Sequence, residues 1–328
     1  MDANQTQQLF FKHIRSKLPV HLSFVDEVAD LLSISNDSAY RRIRGEKPLG
    51  LEEIRMICNK YHVSLDQLLQ IQTNTVIFSG NKLDILSFGF NQYLADVVKN
   101  LEYFKAMGNT HLYSYNKDIP IFHFMSFPEL RAFKFFFWKR TLIGYPELAK
   151  QQFTGIEKDE ETIELANNIT ILYNQIPSTE IWNEENVHST IRQIEFYRQS
   201  NIFADKHILA KIYEQLNELL NRLELQAEYG KKFLPGHQPL PNAAAYNIYV
   251  NECLIGDNTI FVNSDSRKVT CLNHNGLNFT VTQDHNFCEY TFKNLHNIIR
   301  KSTYISTVGE KERSMFFNTL RQKIHERK

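Results

Sequence analysis

The chain has 328 residues, 42% of them hydrophobic and 23% charged, with 37 Lys or Arg balanced by 37 Asp or Glu. At about 150 residues per domain, that length predicts two or three domains with ample apolar material for a core. Twelve Gly and nine Pro exclude collagen-like or low-complexity character, and 24 Phe with 15 Tyr argue against disorder.

No stretch of about 18 consecutive apolar residues occurs. Even the aromatic run IPIFHFMSFPELRAFKFFFW (119–138) carries His123, Glu129, Arg131 and Lys134, so it reads as core and no membrane span is expected. The polar start MDANQTQQ predicts no secretory signal, and the four scattered cysteines, Cys58, Cys253, Cys271 and Cys288, point to a reducing cytoplasm. The neutral balance means that any nucleic-acid contact must come from a local patch.

Residues 1–72 read as five short helices. QLFFKHIRSKL (8–18) spaces Leu9, Phe10, Ile14 and Leu18 for one face, and FVDEVADLL (24–32) follows a capping Ser23 with Val25, Val28, Ala29 and Leu32 inward. NDSAYRRIRG (36–45) comes next, then LEEIRMICNKYH (51–62) with Ile54, Ile57 and Cys58 inward, and finally LDQLLQ (65–70). A boundary is expected near TNTVIFSGN (73–81). From 73 to 233 the segments at 90–107, 128–142, 159–176, 185–199 and 205–230 carry apolar residues at helical steps, with HLYSY (111–115) as an isolated strand.

LPGHQPLPN (234–242) has three prolines and a glycine and reads as a linker. Beyond it the period changes to two: YNIYVNE, NTIFVNS, RKVTCLNH and LNFTVT alternate between turn residues that include Asn275-Gly276, before two closing helices. The expected fold class is therefore mainly α: an N-terminal five-helix helix-turn-helix domain, a helical middle region, and a small C-terminal α+β unit (243–328) with an antiparallel sheet.

The segment 25–69 resembles the phage-repressor-like helix-turn-helix domain of the Xre family, and the resemblance takes in residues 7–70. Its marks are Val28-Ala29 in the first motif helix, the LSIS turn at 32–35, Ala39 at the buried position of the second helix, Gly45 beyond it, and the closing VSLDQLL (63–69). Three residues depart from the family pattern: Val25 where glutamine is frequent, Ser33 where the turn favours glycine, and Arg42 at a position usually apolar. The last implies a packed Arg42 stem with an exposed head.

The residues support a matching physical reading. Ala39 and Ile43 share a face against Val28 and Leu32, which turns Asn36, Asp37, Tyr40, Arg41 and Arg44 outward. Such a helix can enter the major groove, with Asn36 suited to adenine, Arg41 to guanine and Asp37 to a cytosine amino group. Base contacts are expected from Asn36, Asp37, Ser38, Tyr40 and Arg41, and phosphate contacts from Ser35, Arg44 and Lys47. Residues 1–72 hold nine basic and nine acidic side chains, but residues 36–47 hold four basic against two acidic.

The function expected is a sequence-specific, DNA-binding transcriptional regulator acting on double-stranded DNA as a homodimer. Residues 73–328 would dimerise or sense a small-molecule or protein effector. The alternative is an antitoxin-like or protein-interaction module that uses the same fold to bind a partner protein. No enzyme, metal or cofactor is expected, because no phosphate-binding glycine loop, nucleophile elbow or zinc-protease motif occurs. Cys271-x2-His274 and His285-x2-Cys288 have zinc-like spacing, but one pair falls on a strand end and the other on a helix start, so they read as incidental. Leu209, Ile212, Leu216, Leu219 and Leu223 could form a dimer seam, yet Ile208 and Leu220 widen the stripe toward ordinary core packing.

Overall fold

The computed structural model describes residues 3–15, 18, 22–61, 63, 65, 75–80, 89–254, 256–274 and 276–327. The chain divides into two units, with the division between Ile77 and Phe78.

In the first unit, α1 (Ala3–Arg15), α2 (Phe24–Leu32), α3 (Asn36–Ile43) and α4 (Leu51–Tyr61) surround one small core of Phe10, Phe11, Ile14, Val28, Ala29, Ala39, Ile57 and Val63. The face of α1 differs from the expected one: Phe11 is buried and Leu9 is exposed. Phe10 and Phe11 meet edge to face, and Phe11 meets Phe24 in the same way, which turns the helix toward its aromatic pair. The expected fifth helix lies, beyond Leu65, outside the described residues.

The second unit is built on a seven-stranded mixed sheet, in the order β6-β5-β4-β1-β2-β3-β7. Its strands are β1 (His111–Tyr115), β2 (Ser178–Trp182), β3 (Tyr246–Val250), β4 (Thr259–Asn263), β5 (Lys268–His274), β6 (Asn278–Thr282) and β7 (Thr303–Tyr304). Strands β1, β2 and β3 are parallel neighbours, whereas β4, β5 and β6 form an antiparallel meander that starts beside β1.

This corrects the expected C-terminal antiparallel unit. HLYSY is not isolated but lies at the centre of the sheet, and β3 pairs with β2 instead of with β4. The stretch 234–242 is an exposed loop inside the unit, not a linker between domains: Lys232 N–H bonds to the Ala244 carbonyl across it, and Ser178 N–H bonds to that of Ala245. Parallel pairing requires helical crossovers, so the partners of β1 and β2 lie far apart in sequence, beyond the reach of periodicity.

Those crossovers and flanks are α5 (Phe90–Ala106), a helical turn Ile121–Phe124, α6 (Pro128–Phe137) running into a π-turn Trp138–Ile143, α7 (Glu160–Tyr173), α8 (Glu185–Gln199) and α9 (Lys206–Tyr229). After the sheet come α10 (His285–Arg300) and α11 (Glu310–His325). The main core joins Leu112, Trp182, Tyr246 and Ile248 of the sheet to α5–α9 and α11. On the other face Ile181 and Phe261 pack with Cys288 and Leu295 of α10, which makes three layers. The aromatic run is core as expected, with Phe122, Phe124, Phe133, Phe135 and Trp138 buried. So is the leucine stripe of α9, where Ile212, Leu216, Leu219, Leu220 and Leu223 are buried in the same cluster.

Candidate nucleic-acid interface

Two serine caps and one left-handed serine set the angle between α2 and α3. Ser23 Oγ accepts from Asp26 N–H at 3.5 Å, and Ser35 Oγ accepts from Ser38 N–H at 3.3 Å. Between them Ser33, at φ 52°, ends α2, and its N–H bonds to the Ala29 and Asp30 carbonyls. That left-handed geometry explains why the resembled family favours glycine there. A serine holds it at a cost of about 1 kcal/mol. Ala39 is fully buried on Val28 and Ala29, so only a small side chain lets the two helices cross this closely.

Arg42 departs from the expected exposed head. Its guanidinium is buried and forms a two-pronged pair with Glu53 of α4, Nη2 to Oε1 at 2.7 Å and Nε to Oε2 at 3.2 Å, while Nη1 donates to the Ser38 carbonyl. Burial pushes the Glu53 carboxyl up, but the Arg42 hydrogen bonds, the Gly50 N–H and the nearby positive charge outweigh it and hold it below its ordinary value. An arginine at this usually apolar position is therefore a bolt between α3 and α4.

A second brace went unread in the sequence. Gln7 of α1 donates to the carbonyls of Arg42 (2.7 Å) and Lys47 (2.8 Å) and accepts from Leu49 N–H, and Gln8 donates to the Arg44 carbonyl (2.7 Å). Gly45, at φ 80°, admits this contact, since a Cβ there would stand 3.2 Å from the Asn4 carbonyl oxygen. The signal is a Gln-Gln pair on the polar side of an amphipathic helix, which has no distance information until the fold is known.

With its inner face bolted, α3 presents Asn36, Asp37, Tyr40, Arg41 and Arg44 together on one exposed face. Arg44 stacks on the Tyr40 ring at 4.4 Å and donates to its hydroxyl at 3.2 Å. Arg41 and Arg44 flank Glu46, at 3.9 and 3.7 Å. Asn36 Nδ2 donates to Asp26 of α2 at 2.8 Å, so a base would have to displace that carboxylate. Of the remaining expected contacts, Ser38 is half-buried, the Ser35 hydroxyl is engaged as a cap, and Lys47 is exposed just past the helix end.

In the larger unit the cysteine–histidine pairs do not assemble as a centre. Cys271 and Cys288 are buried, and Cys288 Sγ accepts from Thr270 at 3.4 Å. Burial, joined by the neighbouring Cys288, pushes the Cys271 thiol up to about 12. Among the described residues no group of three or more His, Cys, Asp or Glu is placed to hold a metal ion, and no helix is long and apolar enough to cross a membrane.

The unit does contain a polar centre that the sequence did not announce. Glu180 of β2 is 0% exposed, and four groups converge on its carboxylate. They are His123 Nε2 at 2.9 and 3.0 Å, Trp182 Nε1 at 2.7 Å, Tyr246 Oη at 2.8 Å, and the Tyr173 hydroxyl. The Lys232 ammonium lies 3.2 Å from the Tyr173 ring centre and donates to the Tyr173 and Ile176 carbonyls. Burial raises the Glu180 carboxyl, but the charge and hydrogen bond of His123, the Tyr173 hydroxyl and the Lys232 charge overcome it and hold it at about 2. Both carboxylate oxygens are saturated, which makes this an internal anchor of the sheet and its helices.

Residues 22–83 match the family model of the BetR domain, so the α2–α4 region is similar to a small helical domain of DNA-binding type. No curated protein and no solved structure matches the chain.

Proposed function

We propose that this chain is a sequence-specific DNA-binding transcriptional regulator, not an enzyme. In this reading α3 enters the major groove of double-stranded DNA, and residues 78–328 provide dimerisation or effector sensing. The observation that carries it is the exposed face of Asn36, Asp37, Tyr40, Arg41 and Arg44 on a helix whose other face is held by Ala39 and the Arg42–Glu53 pair. The similarity of residues 22–83 to the BetR domain supports the same reading. Arg41 is the principal reader, because its head is exposed and only loosely drawn to Glu46, whereas Asn36 must first leave Asp26. Arg44 and Lys47 contact phosphate.

Fluorescence anisotropy with duplex DNA over a salt series tests this. The full chain loses affinity steeply as salt rises, and Arg44→Ala or Lys47→Ala each lowers the log–log slope by about 1. A chain that binds no duplex at low salt, or binds with no salt dependence, refutes the reading and favours a protein partner for the same face.

A further inference from the structure

Helix α10 buries Cys288, Thr291 and Leu295 on its sheet side and turns the other side to solvent. That outward side reads Asn286, Tyr290, Lys293, Asn297 and Arg300, at steps of four, three, four and three residues, with Asn294 and Lys301 beside the row. All seven are exposed. Among the described residues none of their side chains makes a hydrogen bond, and Lys293, Arg300 and Lys301 form no ion pair. Glu289 is the only acid in the helix, and the Lys268 ammonium of β5 holds it. Glu252, on the loop that Asn251 ties to Ser302, pairs with none of the three cations.

Helix stability does not account for the row. Arg300 and Lys301 complement the negative end of the helix dipole, but Lys293 stands in mid-helix and gains nothing from it. Asparagine is a poor helix former, and three of the seven positions hold it. The cations of α11 are used differently, since Arg321 pairs with Glu224 and Lys323 with Glu184. On the opposite side of the sheet, α7 and its cap carry Asp159, Glu160, Glu161 and Glu164 and no base. A chain neutral in sum thus separates charge across its sheet, which favours a polyanion on the α10 side.

The residue types in the row select which polyanion. Asn, Tyr, Lys and Arg are donors of the kind that meets phosphate oxygens along a nucleic-acid backbone. The row is roughly 21 Å long, and one DNA strand sets a phosphate every ~3.4 Å of axis, so about six phosphates lie along it. An anionic membrane calls for several large apolar side chains on this side, and Tyr290 is the single one exposed on α10. A protein interface calls for an apolar centre, which the row lacks. The chain also enters the larger unit at this helix: Phe78 meets Phe287 of its first turn edge to face, with 5.2 Å between ring centres. Duplex held by α3 is thereby tethered to the unit that carries the row, at a raised effective concentration.

We propose that the outward row of α10 is a second DNA-binding surface, which holds the phosphate backbone of duplex DNA without reading its sequence. Lys293, Arg300 and Lys301 supply the charge, and Asn286, Tyr290, Asn294 and Asn297 donate to phosphate oxygens. The row adds the non-specific affinity that the charge-balanced N-terminal unit lacks. The inference rests on the regulator reading, and its test separates the two.

Fluorescence anisotropy of the full chain on a duplex of arbitrary sequence, over a salt series, provides that test. The triple variant Lys293→Gln, Arg300→Gln, Lys301→Gln binds about tenfold more weakly at low salt, and its log–log slope falls by about 2 to 3. The charge-keeping variant Lys293→Arg with Lys301→Arg binds as the wild type does. A control triple at exposed lysines outside α10, Lys99→Gln, Lys150→Gln, Lys158→Gln, leaves affinity and slope unchanged, and circular dichroism shows every variant folded. Affinity and slope unmoved by the α10 triple overturn the inference, as does an equal loss in the control triple. Binding to vesicles of equal parts phosphatidylserine and phosphatidylcholine, lost in the α10 triple while duplex binding is kept, overturns it in favour of a membrane. Loss confined to Arg41→Ala with Arg44→Ala refutes the second surface and upholds the regulator reading. Loss confined to the α10 triple upholds the second surface and refutes α3 as the reader. A wild type that binds no duplex refutes both.

Discussion

Glu53 in the N-terminal unit and Glu180 in the larger one are both carboxylates drawn out of water, but they are answered differently. Glu53 meets one full positive charge, Arg42, at the rim of a small core. Glu180 meets the hydrogen-bond donors of two tyrosines, a tryptophan and a histidine at the centre of a large one, with the Lys232 charge adding to them. The contrast follows from size. The N-terminal unit has a small core and little apolar surface to bury, so a two-pronged ion pair and the Gln7 clamp hold α3 while its outer face stays exposed. A three-layer unit encloses its polar centre completely and has no need of that site for contact with the outside.

The sharpest test of this contrast is Glu180→Ala. It strands four buried donors, and a loss of about 3–5 kcal/mol is expected in the larger unit. The chain's two tryptophans, Trp138 and Trp182, both lie there, so tryptophan fluorescence during urea unfolding reports that unit alone. The amides of α2–α4 should keep their wild-type hydrogen-exchange protection. If they lose it, the two units do not stabilise independently.

Next in size, Arg42→Ala should cost the N-terminal unit about 2–3 kcal/mol by leaving Glu53 without its partner. The double substitution Arg42→Leu with Glu53→Leu should cost clearly less than the single change, because a packed apolar pair replaces the ion pair without an orphan. Hydrogen exchange of α3 and α4 measures both. A double variant as unstable as the single one would mean that the pair contributes more than mutual satisfaction.

Acid should separate the units by pH. Burial, with the Lys232 and His296 charges, lowers His111 from 6.5 to about 4, so the folded form disfavours its proton. The larger unit therefore begins to lose stability as pH falls through 6.5 and continues to about 4. Glu180, lowered from 4.5 to about 2, adds stability present above 4.5 and lost progressively down to about 2. Glu53 is also held below 4.5, so its contribution to the N-terminal unit is lost only under that value. Thermal melts followed by tryptophan should thus decline between pH 6.5 and 4.5, and His111→Gln should flatten that limb. An unchanged limb would separate His111 from the effect.

The smallest expected effect concerns the exposed face itself. Glu46→Gln removes the acid between Arg41 and Arg44 and should raise affinity for non-specific duplex DNA about two- to five-fold, without altering unfolding. A fall in affinity would assign Glu46 a direct role in contact.

What was legible in the sequence follows the same division. Helices α2 and α3, the Ser23 cap and the outward face of Asn36 to Arg44 depend on spacings of three and four residues, which the chain itself displays. The Arg42–Glu53 pair was not legible, because nothing in the spacing says which acid on α4 faces which base on α3. The Asn36–Asp26 bond was hidden for the same reason. In the larger unit each helix was readable, but the sheet was not. STEIW is buried along its whole length and shows no alternation, and its partners HLYSY and YNIYV lie more than sixty residues away on either side. Glu180 looks like a lone acid in an apolar strand until positions 123, 173 and 246 converge on it.

The most direct test of the central claim is a selection of bound sequences from random duplex DNA with the full chain and its Arg41→Ala variant. The wild type should enrich a defined site built as an inverted repeat. Arg41→Ala should lose preference at one base pair of each half, with affinity for the selected site lower by about 10- to 100-fold. No enrichment by the wild type, or the same site and affinity for both proteins, would contradict recognition of DNA by this helix.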